Sequence, residues 1–213
     1  MSNKIADIRR EYLGKPLSKK DVNHNPFIQF NKWFDEAFNA NVVDPTAMTL
    51  ATASLRGKVT ARIVLLKGVE DEGFVFYTNY NSTKSKQIEE NHYGSLVFFW
   101  PELIRQVRVE GGIEKVEPGK SDDYFNSRPL ESQFSALASE QSSEIPNRKI
   151  LEEKIRQIKN QYQGKKIQRP EYWGGYILKP ERLEFWQGRE NRLHDRIEYN
   201  FEKEMWMIRR LAP

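Results

Sequence analysis

Two apolar rhythms divide the chain. Asn25-Pro26 supplies an N-cap and a first-turn proline. Phe27, Phe30, Trp33, Phe34, Ala37 and Phe38 follow at helical spacing, which predicts a helix with one core-facing stripe. From Ala47 to Trp100 the pattern turns to strands. Met48–Ser54, Val59–Leu66 and Phe74–Asn79 are short, rich in β-formers and separated by turn signals at Arg56-Gly57 and Asp71-Glu72-Gly73. A helix over Thr83–Asn91 interrupts before strands resume at Ser95–Trp100 and Arg105–Val116. Two helices fit within Pro118–Ala138, and an amphipathic surface helix fits Pro146–Gln163, with Ile150, Leu151, Ile155 and Ile158 on one face. Four strands close the chain at Tyr172–Leu178, Arg182–Trp186, Arg192–Tyr199 and Glu204–Arg209. Many short antiparallel strands joined by tight turns predict a mainly β barrel with flanking helices. Residues 1–25 are polar and read as a loosely ordered segment with a short helix around Ile5–Tyr12, ahead of one domain over 26–213.

Composition narrows the chemistry. Of 213 residues, 38% are hydrophobic and 30% charged, and the mean hydropathy is -0.76, as in a soluble protein. No window approaches the roughly 18 apolar residues of a membrane span, and Met1–Tyr12 lacks the apolar core of a secretory signal. No membrane association and a cytoplasmic location are therefore expected. The absence of cysteine excludes disulfides, thiolate metal sites, iron–sulfur clusters and a cysteine nucleophile. His24, His92 and His194 show no metal-ligand spacing, so no metal is expected. A net charge of +4 is modest, and charges of both signs alternate along the chain. That pattern favours local anion sites over a continuous nucleic-acid groove. Five Trp, nine Tyr and twelve Phe among basic residues keep single-strand nucleic-acid binding as a rival, recognisable by steep salt dependence.

The most informative stretch is Leu183-Glu184-Phe185-Trp186-Gln187-Gly188 followed by Arg192-Leu193-His194-Asp195-Arg196. If the second part is extended, Arg192, His194 and Arg196 lie on one face about 7 Å apart, a row that suits an anion. The plain alternative is a solvated outer strand face. Trp186 beside the same face would complete a site for a planar phosphorylated heterocycle, with stacking for the ring and guanidinium for the phosphate.

Other anion-binding residues gather elsewhere. Arg62-Ile63-Val64-Leu65-Leu66-Lys67 puts a cation at each end of an apolar strand, and alternation sends the two to opposite faces unless the strand bends at Gly68. Tyr77-Thr78-Asn79, with Asn81-Ser82-Thr83-Lys84-Ser85-Lys86, joins a strand to a helix start dense in hydroxyls and lysines. This suits a phosphate at the helix N-terminus or simple capping. The amide of Gln106 can pair with a ring edge bearing C=O and N–H, or face solvent. Tyr124, Arg128 and Ser132 recur at intervals of four, interrupted by Pro129, and would form a second phosphate site if they converge. Gln141-Ser142-Ser143 reads as a cap for the helix after Pro146 or as further hydroxyls for an anion.

Taken in order, these segments resemble the pyridoxine (pyridoxamine) 5'-phosphate oxidase family, over nearly the whole chain from Arg9 to Arg210-Leu211-Ala212-Pro213. The tryptophan and Arg-x-His-x-Arg segments carry the likeness most specifically, and Ser127-Arg128-Pro129 and Arg62–Lys67 support it. The resemblance implies a homodimeric FMN-binding split β-barrel, antiparallel and Greek-key-like. It also implies oxidation of pyridoxine 5'-phosphate or pyridoxamine 5'-phosphate to pyridoxal 5'-phosphate, with O2 as acceptor and H2O2 as by-product. It places Arg62, Ile63, Val64, Leu65, Leu66, Lys67, Tyr77, Thr78, Lys84, Gln106, Gln141, Ser142, Trp186 and Arg196 on the flavin. Lys67, Tyr124, Arg128 and Ser132 fall on the substrate phosphate, Arg192 and His194 on the pyridine, and Arg9 and Tyr12 in an N-terminal segment that folds over the site. Where the family usually has Arg-Lys, this chain reads Thr83-Lys84, one guanidinium fewer beside the FMN phosphate. The alternatives are a split-barrel FMN reductase with another substrate and a non-enzymatic carrier of pyridoxal 5'-phosphate.

Overall fold

The computed structural model describes residues 11–70 and 72–213. Arg9, Asp71 and most of the helix predicted around Ile5–Tyr12 lie outside these residues, and Glu11 and Tyr12 themselves are not helical. The elements run α1 (Pro26–Asn39), β1 (Ala47–Ala53), β2 (Val59–Leu65), β3 (Gly68–Glu70), β4 (Gly73–Asn79), α2 (Thr83–Glu90), β5 (Tyr93–Trp100), β6 (Arg105–Lys115), α3 (Pro118–Ser127), α4 (Leu130–Ala138), α5 (Arg148–Gln161), β7 (Trp173–Gln187), β8 (Asp195–Glu202) and β9 (Met205–Leu211). Hydrogen-bonded neighbours follow the order β2-β1-β5-β6-β7-β4-β3, with β8 on β7 and β9 on β8. The chain forms two compact units. One holds the chain up to Thr49, Ser95–Gly111 and Pro180–Pro213; the other holds Leu50–Gly94 and Gly112–Lys179.

In the first unit α1 begins as its sequence requires, with the Asn25 side chain accepting from the amides of Phe27 and Ile28. Its buried face is Pro26, Gln29, Phe30, Trp33 and Ala37. The predicted stripe was too wide, because Phe38 is 67% exposed and Phe34 half-buried. Positions 27, 34 and 38 align along one flank of the helix, at 100° per residue, while 26, 30, 33 and 37 hold the centre. The centre meets an aromatic wall: Phe30 lies 5.0 Å from Phe98, Trp33 lies 5.2 Å from Phe185, and Phe185 lies 5.4 Å from Tyr199. Residues 11–25 carry no regular element. They are nevertheless pinned, since the Leu17 amide donates to Asp195 (3.0 Å) and the Tyr199 hydroxyl donates to the Asn23 carbonyl (2.6 Å).

In the second unit β4 pairs antiparallel with β3 (Gly68↔Val75) and with the first half of β7 (Tyr77↔Gly175). The three-residue β3 escapes prediction, being too short to show a period. The strands predicted at Tyr172–Leu178 and Arg182–Trp186 are one strand, β7, that carries Pro180 inside it. The β4 ladder ends at Leu178 and the β8 ladder starts at Arg182, so the proline falls where neither ladder calls on its missing N–H. Pro129 separates α3 from α4 as expected, and α5 has no fully buried residue, as an amphipathic surface helix should not. Its N-cap is Asn147, which accepts from the Ile150 amide, and not Gln141-Ser142-Ser143.

Phe185→Ala is predicted to lower the free energy of unfolding by about 3–5 kcal/mol, because a fully buried ring would leave a cavity between α1 and β8. Leu193→Ala, at a 68% exposed position, should change it by less than about 0.5 kcal/mol. Denaturant unfolding of the two variants checks the contrast.

Candidate functional site

A cavity of 760 Å³ lies within the second unit. The end of β2 contributes Arg62, Ile63, Val64 and Leu65, and the following loop contributes Lys67; β4 adds Tyr77, Thr78 and Asn79, and α2 adds Lys84. Tyr124 of α3, Arg128 at the helix break, Ser132 of α4, Gln141 and Trp173 complete the polar and aromatic lining. Arg62 and Lys67 share this cavity, against the expectation of opposite faces, because β2 stops at Leu65 and alternation lapses before Lys67. Among the described residues the lining holds four cations and no Asp or Glu.

Two of these cations, Arg62 and Lys84, are held by neutral oxygens. Arg62 donates from Nη1 to the Leu50 carbonyl (3.2 Å) and Thr52 Oγ1 (2.7 Å), and from Nη2 to Thr60 Oγ1. Lys84 Nζ donates to Thr78 Oγ1 (3.1 Å), Ser82 Oγ (3.1 Å) and Gln141 Oε1 (2.6 Å). Burial and the nearby Arg62 charge lower the Lys84 pKa to about 8. Ser82 sits at the N-cap of α2 but makes no capping bond. The Thr83 amide donates instead to Ser142 Oγ (3.3 Å), so Ser142 caps α2 from a distant loop.

A second cluster surrounds Arg128. Its guanidinium lies 4.6 Å above the Trp173 ring, burial lowers its pKa, and its Nη1 is buried without a hydrogen-bond partner. Tyr77 stacks on Tyr124 at 3.9 Å and on Trp173 at 5.6 Å, with interplanar angles of 15° and 12°. Burial raises the pKa of both tyrosines, so their phenols stay protonated as donors. An orphaned guanidinium N–H beside a phenol is a receptor for an anionic oxygen.

Leu66 is buried away from the lining, and Thr83 and Ser142 are exposed beside it. Gln106, Trp186, Arg192, His194, Arg196 and Tyr12 belong to the first unit. There the proposed strand row fails. Arg192 lies in a 3-10 turn, Glu190–Arg192, with φ of 60°, His194 precedes β8, and only Arg196 is in the strand. Left-handed φ at Asn191 (53°) and Arg192 coils the chain where an extended run was expected. Trp186 pairs with Arg196 across β7 and β8 and lies 4.7 Å from the His194 ring, with Tyr12 at its edge (5.9 Å). The Arg189 amide donates to His194 Nδ1 (3.1 Å), and burial with the Arg192 charge lowers the His194 pKa. The neutral ring therefore carries its proton on Nε2. Arg196 grips Glu184 from Nε and Nη2 (both 2.9 Å) and donates to the Ala212 carbonyl (2.9 Å). Gln106 is half-buried in β6.

Trp173 was missed as a site residue, since a tryptophan opening a strand reads first as core. Its neighbours Gly174-Gly175 were the available signal: a Cβ on Gly175 would press on the Tyr77 ring at 2.8 Å.

The sheet and the cavity it carries define a mainly antiparallel β half-barrel with flanking helices. Solved structures share that architecture. PhzG from Burkholderia lata 383, determined with tetrahydrophenazine-1-carboxylic acid, aligns with a TM-score of 0.88 at 27% identity, over 94% of this chain and 99% of that one. An FMN-binding, pyridoxamine 5'-phosphate oxidase-related protein of Nostoc punctiforme aligns at 0.68 with 16% identity, over 86% and 97%. The pyridoxamine 5'-phosphate oxidase family model matches residues 34–162, and the pyridoxine 5'-phosphate oxidase C-terminal dimerisation region matches 173–213. A pyridoxine/pyridoxamine 5'-phosphate oxidase of Cytophaga hutchinsonii is 51% identical over 100% of both chains. One of Legionella pneumophila is 50% identical over 98% of this chain and 97% of its own. The chain belongs to the pyridoxamine 5'-phosphate oxidase family.

With a pKa of about 8, Lys84 carries its charge below that pH and loses it above. Sulfate, whose own charge is constant, is predicted to bind the ligand-free protein more weakly as pH rises from about 7 to about 9, and Lys84→Met should remove that dependence. Calorimetric titration checks it, and a flat native profile would take Lys84 out of the anion site.

Proposed function

We propose that the chain binds FMN and oxidises pyridoxine 5'-phosphate or pyridoxamine 5'-phosphate to pyridoxal 5'-phosphate, working as a homodimer in the cytoplasm. The observation that carries this reading is the cavity that, among the described residues, gathers four cations with no carboxylate and leaves a buried Arg128 Nη1 unpartnered. Two phosphoesters, one on the cofactor and one on the substrate, would supply the missing negative charge. Full-length relatives named pyridoxine/pyridoxamine 5'-phosphate oxidase support the choice of substrate.

The donor set fits FMN. Lys84 and Arg62, with Thr78, Gln141 and Ser142 around them, would hold its phosphate and ring edge, and the Ile63–Leu65 backbone would lie along it. The placing of Leu66, Thr83, Gln106, Trp186 and Arg196 on the flavin comes from the family resemblance. Arg128, Tyr124, Ser132 and Lys67 would anchor the substrate phosphate, which fixes the distance of the substrate C4' carbon from the cofactor. Arg192 would cover the pyridine ring. His194, neutral with its proton on Nε2, would donate to the oxygen or nitrogen on C4' and serve to orient it. Arg9 and Tyr12 would belong to a segment, residues 1–25, that closes over the occupied site of the 26–213 domain and excludes water. When bound, FMN would supply the two-electron redox chemistry, by which two electrons and two protons lost from the substrate reduce O2 to H2O2, pyridoxamine 5'-phosphate also taking up water and releasing ammonia.

Peroxide release on adding pyridoxine 5'-phosphate to the FMN-loaded protein, with bleaching of the flavin spectrum in the absence of air, tests the activity. A yellow protein that neither bleaches nor yields peroxide would refute it, and a colourless protein that binds pyridoxal 5'-phosphate would indicate a carrier. Loss of the Arg128 charge-assisted contact, worth about 1.5–3 kcal/mol, should raise KM for pyridoxine 5'-phosphate in Arg128→Met by roughly ten- to a hundredfold while flavin content holds. Thr83→Arg restores a guanidinium at the start of α2 and is predicted to lower the FMN dissociation constant. Equal constants for the two proteins would refute the prediction that the missing guanidinium weakens FMN retention.

A further inference from the structure

Behind the cavity wall, Gln87 of α2 is buried and does not itself line the cavity. Its Oε1 accepts from both Thr52 Oγ1 and Thr60 Oγ1, each at 2.6 Å, and its Nε2 donates to the Lys58 carbonyl at 3.2 Å. The carbonyl contact fixes which end of the amide faces the threonines. Both hydroxyl protons are thereby committed to one oxygen, and each threonine oxygen can present only lone pairs to its other neighbour. That neighbour is Arg62 in both cases.

Arg62 has five N–H donors in a rigid plane. Both Nη1 protons and one Nη2 proton are spent on Leu50, Thr52 and Thr60. The Nε–H and the second Nη2–H remain, parallel along one edge of the guanidinium, and this edge is the one that takes two oxygens of a phosphate side-on. Arg196 shows the same edge occupied, with Nε and Nη2 both on Glu184. The Gln87 amide thus dictates which edge of Arg62 is left free.

We propose that Gln87 is a positioning residue for FMN binding, acting through the two threonines to present the free edge of Arg62 to the cofactor. The role rests on the reading of the cavity as a flavin site. Without the amide oxygen the hydroxyls rotate, the threonines no longer offer a fixed pair of acceptors, and Arg62 loses its frame while keeping its charge.

The test is a double-mutant cycle on the ligand-free full chain, titrated with FMN and read by flavin fluorescence quenching. Gln87→Met keeps length and apolar packing but removes the acceptor, and should raise the FMN dissociation constant about tenfold. Thr60→Val, which suits a strand, should do the same and carries the test if Gln87→Met does not fold. In an Arg62→Lys background either change should add less than about twofold, because there is no guanidinium left to aim. Equal penalties in both backgrounds, or no penalty in the native background, would overturn the role of Gln87. If Arg62→Lys alone leaves FMN binding unchanged, the assignment of Arg62 to the flavin falls, and the role of Gln87 with it.

Discussion

The structure depends on keeping like charges together without acids to neutralise them. Arg62 is close enough to depress the Lys84 pKa, and Lys84 is buried while Arg62 is half-buried. In such surroundings a carboxylate would be the ordinary remedy. Here hydroxyls, amide oxygens and a backbone carbonyl take its place, and each satisfies a donor without cancelling a charge. The cavity therefore keeps its positive potential until a ligand arrives.

The first unit resolves the same problem in the opposite way. Buried Glu184 accepts from Arg196 and from Arg108, Arg108 also meets Glu110, and Arg182 bridges Glu110 and Glu198. Glu184 and Glu198 are almost fully buried, so this alternating ladder fixes β6, β7 and β8 through charge pairing instead of storing charge for a ligand. An arginine in that ladder and an arginine in the cavity look identical in sequence. They differ in whether a carboxylate has been placed within reach.

Much of this was legible beforehand. The Asn25-Pro26 cap, the break at Pro129 and the amphipathic α5 follow from local rules that act within a few residues. The joining of Arg62, Lys67 and Lys84 to Tyr124, Arg128 and Ser132 was readable only through family likeness; the four-residue spacing of the last three suggested that they converge, but spacing alone put Arg62 and Lys67 on opposite faces. What failed was the extended reading of Arg192–Arg196: Asn191 is a residue that tolerates left-handed backbone, but nothing in the sequence announces that Arg192 follows it there. Gln87 and Trp173 were passed over for a different reason. Their importance lies in what they touch across the fold, and a single apolar residue, Ile88, on the buried face of α2 was the one local hint that this helix packs polar atoms inward.

Arg128 and Arg196 show how the two arrangements divide stability from recognition. Removing Arg196 leaves the buried Glu184 with Arg108 alone, at 3.3 Å, so loss of that side chain strains the fold as well as any ligand contact. Removing Arg128 strands no carboxylate, because its guanidinium rests on the Trp173 ring with Nη1 unused. An unmet donor in a protein interior is a standing cost to the free protein, and in the proposed role an anion would relieve it. Folding energy forgone at Arg128 would then reappear as affinity, whereas at Arg196 it has already been used to hold two strands in register.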